Sequence, residues 1–77
     1  LDFHYIKQLE LFLDKLVDNR IILEVDTKEL SELLYSVFMF EFIMYAYDHN
    51  LEKEDMMKNA KTKIEILMKG YIQGGIR

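Results

Sequence analysis

Apolar side chains along this chain fall into three blocks, and two of them repeat with the period of an amphipathic helix. At 100° per residue, Tyr5, Ile6, Leu9, Phe12, Leu13, Leu16 and Val17 share an arc of about 140°. Lys7, Glu10, Asp14, Lys15 and Asp18 fall outside it. The pattern predicts a helix over residues 2–18, ended by Asn19, a residue type that tolerates the left-handed conformation of helix C-termini. In the third block Met56, Met57, Ala60, Ile64, Leu67, Met68 and Tyr71 share about 120°, with Lys58, Lys61, Lys63, Glu65 and Lys69 on the remainder. This predicts a helix over residues 52–69. Asn50 is its expected N-cap, carboxylates at 52, 54 and 55 suit its dipole, and Gly70 is its stop. The last five residues, "QGGIR", read as a frayed tail.

The middle block has no polar face. In "LLYSVFMFEFIMYAYD", residues 33–48, only Ser36, Glu41 and Asp48 interrupt large apolar and aromatic side chains. Asp26, with Glu29 three residues later, has capping-box spacing and predicts a helix over residues 27–48, about 33 Å long. Leu30, Leu33, Leu34, Val37, Met44 and Tyr45 form one apolar face, and Tyr35, Met39, Phe42, Ile43, Ala46 and Tyr47 form a second on the opposite side. A helix apolar all round must be buried all round. The first and third helices are each expected to be satisfied by one partner surface, but two neighbours cannot cover both faces of the second. The uncovered face would expose roughly 500 Å², at the top of the range for monomers. Covering it is worth at most about 10 kcal/mol per chain, against an association cost of about 4–15 kcal/mol. The expected architecture is all-α, with an apolar exposure that calls for a partner. Between the first two helices, "NRIILEVD" has the composition of a strand, but no second strand is available. It is expected to be an apolar loop plugging the end of the bundle.

Composition narrows the remaining choices. At 77 residues this is one domain or a piece of one, and the opening Leu1 suits a piece of a longer protein. A chain of this size buries only about 60% of its unfolded surface, so disulfides, metal or association usually assist. There are no cysteines, and His4 and His49 have no ligand spacing. Each histidine sits beside an aspartate near a helix end, which suits a surface pair. The absence of proline, with only three glycines, favours long helices. Net charge is −4: residues 1–50 carry four basic and ten acidic groups, residues 51–77 six and four. That is no nucleic-acid footprint, because the lysines of the third helix alternate with acids as on a solvated face. The longest apolar stretch, about 15 residues including Glu41, falls short of the roughly 20 that span a bilayer. With no export leader in view, the expectation is a cytoplasmic protein with no membrane contact.

The order of elements resembles the C-terminal region of TetR-family transcriptional repressors. An amphipathic helix and a short turn lead into "NRIILEVDTKELSELLYSVF", with an aspartate opening the long penultimate helix. A last helix then closes on Leu67, Met68, Lys69, Gly70 and Tyr71. The resemblance covers residues from about 9 to 72. It implies that residues 1–77 are a regulatory and dimerisation region without its N-terminal helix-turn-helix domain. They would form a three-helix antiparallel piece that completes a four-helix bundle across a homodimer. The implied dimer interface is Met39, Phe42, Ile43, Ala46 and Tyr47 with Met57, Ala60, Ile64 and Met68. The effector pocket would draw on Tyr5, Phe12, Val37, Glu41 and Met44. Partners would be a second copy and a small-molecule effector, with operator DNA met only through the absent domain. The chain departs from the family where Asp18, Asn19 and Arg20 replace a turn glycine, and where bulky "FMFEF" stands in place of a small mid-helix residue.

Glu41 sits within the first apolar face, so it must be paired, protonated or beside water. It could recognise a cationic or hydrogen-bonding ligand, or make a structural bond to a tyrosine, lysine or arginine. The five tyrosines and five methionines could line an adaptable pocket, or simply be core and interface. No catalytic triad, paired-carboxylate cleft or phosphate loop can be assembled, so neither an enzyme nor a cofactor is expected. The alternative to the repressor reading is a stand-alone helical protein–protein interaction module.

Overall fold

A computed structural model describes residues 3–72 as three helices, α1 (Phe3–Asp18), α2 (Thr27–Tyr47) and α3 (Lys53–Met68), with a single 3₁₀ turn at Lys69–Tyr71. The fold is all-α. Helix boundaries follow the periodicity to within one residue, and the tail expected to fray, residues 73–77, lies outside the described residues. The caps explain the small differences. Asp26 caps α2 as expected, its carboxylate accepting from the Glu29 backbone N–H at 3.2 Å. Asn50 does not cap α3. Its N–H donates instead to Asp48 Oδ1 at 2.9 Å, closing a turn after α2, and the N-cap is Glu52, whose N–H donates to Asp55 Oδ2 at 3.0 Å.

The left-handed residue after α1 is Arg20 (φ 58°) rather than Asn19. Arg20 N–H donates to Val17 O at 2.9 Å and Ile21 N–H to Leu16 O at 2.8 Å, the paired bonds of a Schellman motif with arginine where glycine is usual. Gly70, expected as the stop of α3, lies inside the 3₁₀ turn, and a Cβ there would meet nothing within 4 Å.

Helices α1 and α3 both pack on α2 but not on each other among the described residues. The molecule measures 41 × 30 × 15 Å, too thin for a second layer. Its main core cluster lies at one end, where Leu13, Ile22, Leu30 and Leu34 are buried together and Leu9, Leu16, Val17, Val25, Ile64, Leu67, Met68 and Tyr71 pack around them, while Ile6, Met56 and Ala60 are buried outside that cluster. The apolar loop plugs this end as expected. It also pairs, since Ile22 forms an antiparallel bridge with Ile72 and Leu23 N–H donates to Tyr71 O at 2.6 Å. The strand-like composition therefore has a partner after all, in the residues that follow α3. Thr27 Oγ1 donates to Asp14 Oδ1 at 2.5 Å and ties α1 to the start of α2. Ser31, fully buried, donates to Lys28 O at 2.7 Å, so its hydroxyl is satisfied within its own helix.

Several core expectations fail at both ends. Tyr5 and Phe12 of α1 are 63% and 58% exposed, because among the described residues α1 buries only Ile6 and Leu13. Leu33, Met44 and Tyr45, placed by period on the inner face of α2, are also open, at 52%, 40% and 40%. Met57 of α3 is likewise exposed. These residues do lie on apolar faces of their helices. What the sequence missed is that α1 and α3 cover only one stripe of α2 between them.

Candidate functional site

The central helix organises everything that could act on a partner. Its buried stripe is Leu30, Ser31, Leu34 and Glu41, and Glu41 is only 3% exposed. The partner of Glu41 is Lys63 of α3, with Nζ 2.7 Å from Oε2. The contact is an ion pair whose angles do not make a proper hydrogen bond to that oxygen. The Lys63 ammonium also lies 5.6 Å from the centroid of the Phe40 ring, within cation–π range. Of the two readings of Glu41, the pairing expected of a structural carboxylate is present. Lys63, read from the sequence as one of a solvated row, is the residue that provides it. Three residues from Ala60 and one from Ile64, it sits at the margin of the buried face of α3. Charge periodicity alone gives no signal for such a position.

Two apolar grooves flank α2. The first, about 520 Å³, runs between α2 and α3 and is lined by Leu33, Ser36, Val37, Phe40, Lys63, Ile66 and Leu67. The second, about 480 Å³, lies between α1 and α2, and five of its seven lining residues are aromatic: Tyr5, Phe12, Tyr35, Phe38 and Phe42, with Gln8 and Leu9. The expected effector residues are therefore not gathered into one pocket. Tyr5 and Phe12 line the aromatic groove and Val37 lines the other. Glu41 is buried and lines neither, and Met44 lies exposed beyond both. Ile66 and Leu33, which the sequence did not single out for a site, are 71% and 52% exposed and form much of the wall of the first groove.

The expected interface residues divide as well. Met39, Phe42, Ile43, Ala46 and Tyr47 of α2 are all open, Tyr47 to 82%. Of the α3 set only Met57 is open. Ala60 is buried within the chain, and Ile64 and Met68 are half-buried against its core. The nine residues do not form one open surface.

Helix α2, at 21 residues, is long and apolar enough to cross a membrane by length and composition alone. The apolar stretch of about 15 residues read from the sequence is shorter because it leaves out the first turns of the helix, where Lys28, Glu29 and Glu32 stand. Glu41, the charge nearest the middle of the helix, has its counter-ion in the same chain.

No family model, curated protein or solved structure matches this chain. What can be said of its action rests on the residues and their arrangement.

Proposed function

We propose that this chain is the dimerisation and effector-sensing part of a TetR-type transcriptional repressor, controlling operator binding by an N-terminal helix-turn-helix domain outside this sequence. The observation that carries the reading is the open apolar side of α2, where Met39, Phe42, Ile43 and Tyr47 are 37–82% exposed among the described residues. A second copy laid against this side covers the same residues on both subunits, as a two-fold axis requires. The aromatic groove between α1 and α2 offers a volume typical of small-molecule sites. The helix order and the capped "VDTKELSELLY" start of α2 agree with the family's pattern.

The seam is small. Roughly 500 Å² per subunit is below the about 800 Å² of a standard interface, so this chain alone should dimerise weakly. Sedimentation equilibrium over a hundredfold concentration range tests this. A monomer–dimer equilibrium is expected, abolished by Met39→Lys or Ile43→Lys and indifferent to Lys61→Glu. A monomer at every concentration, or dimers that survive both apolar substitutions, would remove the proposed seam.

A second reading is a stand-alone interaction module that takes another protein's helix along α2. The burial of Ala60 and half-burial of Ile64 and Met68 favour it, because they leave α3 little to offer a four-helix seam. A concentration-independent monomer that still binds an amphipathic helix peptide, and loses it in Ile43→Lys, would select this reading.

A further inference from the structure

The groove between α2 and α3 carries chemistry that neither a dimer seam nor an effector pocket on the α1 side uses. We infer that it binds a single-chain amphipathic anion: an unbranched apolar tail lying along Leu33, Phe40 and Ile66, with a carboxylate head on the Lys63 ammonium.

Three observations support this. The groove is an open apolar trough of about 520 Å³ walled by Leu33, Val37, Phe40, Ile66 and Leu67. Among the described residues Lys63 is the one charged residue in its lining, and although Glu41 pairs with it, its exposed N–H donors are what a polar end of a ligand would meet. The ammonium is also held in place. Glu41 lies 2.7 Å away on its buried side and Phe40 takes its other flank, while the lysine side chain stays 44% exposed. An ammonium has three N–H donors and Glu41 engages it from one direction, which leaves donors for a second acceptor on the open side. The Ser36 hydroxyl is already committed, donating to Glu32 O at 2.8 Å, and supplies no competing donor. A cationic or neutral head would leave the lysine unused or repelled.

The occupant is a free amphiphile and not a bilayer lipid. The chain carries a net charge of −4, which opposes approach to an anionic leaflet. The groove borders the proposed seam: Leu33 and Val37 face roughly a quarter turn or more of α2 away from Met39 and Ile43, whereas Phe40 lies within about 20° of Tyr47. A second copy on the seam would therefore compete with the ligand along this edge, and titration of the dilute monomer separates the two outcomes.

The test is calorimetric titration with decanoate below its critical micelle concentration. Decanol and decyltrimethylammonium serve as neutral and cationic heads on the same tail, and anionic phosphatidylglycerol vesicles as the bilayer arm. Saturable binding of one decanoate per chain is expected, at least about tenfold tighter than decanol, the worth of one charge-assisted hydrogen bond. Lys63→Met should lose that preference and Lys63→Arg should keep it. Because Lys63 also supports Glu41, Ile66→Asp provides an independent check. Ile66 is 71% exposed, so the fold should survive, while the added charge and lost wall should weaken decanoate more than tenfold. Equal affinity for decanol and decanoate would overturn the inference, as would an anion preference that persists in Lys63→Met. So would binding to vesicles without binding to monomeric decanoate, or a groove closed to decanoate because a second copy fills it.

Discussion

The two ends of this thin layer are built from equally apolar helices, yet only one of them closes. At the end that holds the connection between α1 and α2, Leu13, Ile22, Leu30 and Leu34 are at most 6% exposed, and the residues after α3 fold back to pair with Ile22 and Leu23. At the other end no residue from Phe42 to Asn50 is buried, and burial there is limited to Ile6 and Met56 of the flanking helices, at 9% and 7%. The difference lies in the connections. "RIILEV" sends Ile22, Leu23 and Val25 into or against the core, whereas "DHN" between α2 and α3 is spent on a polar turn, leaving only the half-buried Leu51. Three helices in one layer cannot enclose a core by themselves, so a segment crossing their ends must do it, and here only one segment has the side chains. Stability is thus concentrated at one end and surface for association at the other.

The strongest test of this contrast is a pair of truncations. Leu13→Ala or Leu30→Ala should cost about 2–5 kcal/mol, because each leaves a cavity under a fully packed cluster. For so small a domain that is a large share of the available stability, and the variants should be mostly unfolded in urea titrations that leave the parent native. Tyr47→Ala at the open end should change the monomer by no more than about 0.5 kcal/mol. If both ends respond equally, the open end is covered in solution and the asymmetry does not describe the working protein.

Much of this was readable from the sequence, and the failures have a common cause. Period located α1 and α3, because charged residues at 7, 10, 14 and 15, and at 58, 61 and 65, leave a single apolar arc on each, and α2 was located by its cap and its apolar length. Asp26 was legible as a cap because its carboxylate reaches a backbone N–H three residues on. Which apolar residues end up covered was not legible. Phe12 and Leu13 are neighbours on one arc, yet one is 58% and the other 1% exposed, and only the position of α2 decides between them. Lys63 was invisible for the same reason, since its role depends on a carboxylate 22 positions earlier on another helix. The return of Ile72 to Ile22 was missed because two single bridging residues carry no strand-length pattern.

A smaller effect is expected where the two ends meet, at the Glu41–Lys63 pair. Removing one member of a buried ion pair usually costs about 3–5 kcal/mol, because the other charge is left unpaired. Lys63 is 44% exposed, and water can take over part of its work, so Lys63→Met should cost less, about 1–3 kcal/mol. The double variant Glu41→Leu with Lys63→Met removes the burden altogether and should return to within about 1 kcal/mol of the parent. A thermodynamic cycle from urea denaturation gives both numbers. A double variant no better than Lys63→Met would mean that the pair, rather than the packing around it, holds α3 against α2.

The smallest effect concerns the closed end and has the opposite sign. Arg20 holds φ at 58°, where a Cβ crowds the following carbonyl at a cost of roughly 1 kcal/mol, and it does so because the Schellman bonds to Leu16 and Val17 turn the chain into the plug. Arg20 is exposed, so its side chain contributes little packing that a substitution would forfeit. Arg20→Gly relieves the crowding, while glycine also gives the unfolded chain more freedom to lose. The first term should win narrowly, raising stability by about 0.5 kcal/mol, because the left-handed conformation is required in the native state and glycine alone adopts it freely. Denaturation midpoints at unchanged m-value would register the gain. A loss instead would show that the turn is set by the apolar grip of Ile22 on the core, with strain at Arg20 too small to matter. The closed end would then be held by packing alone.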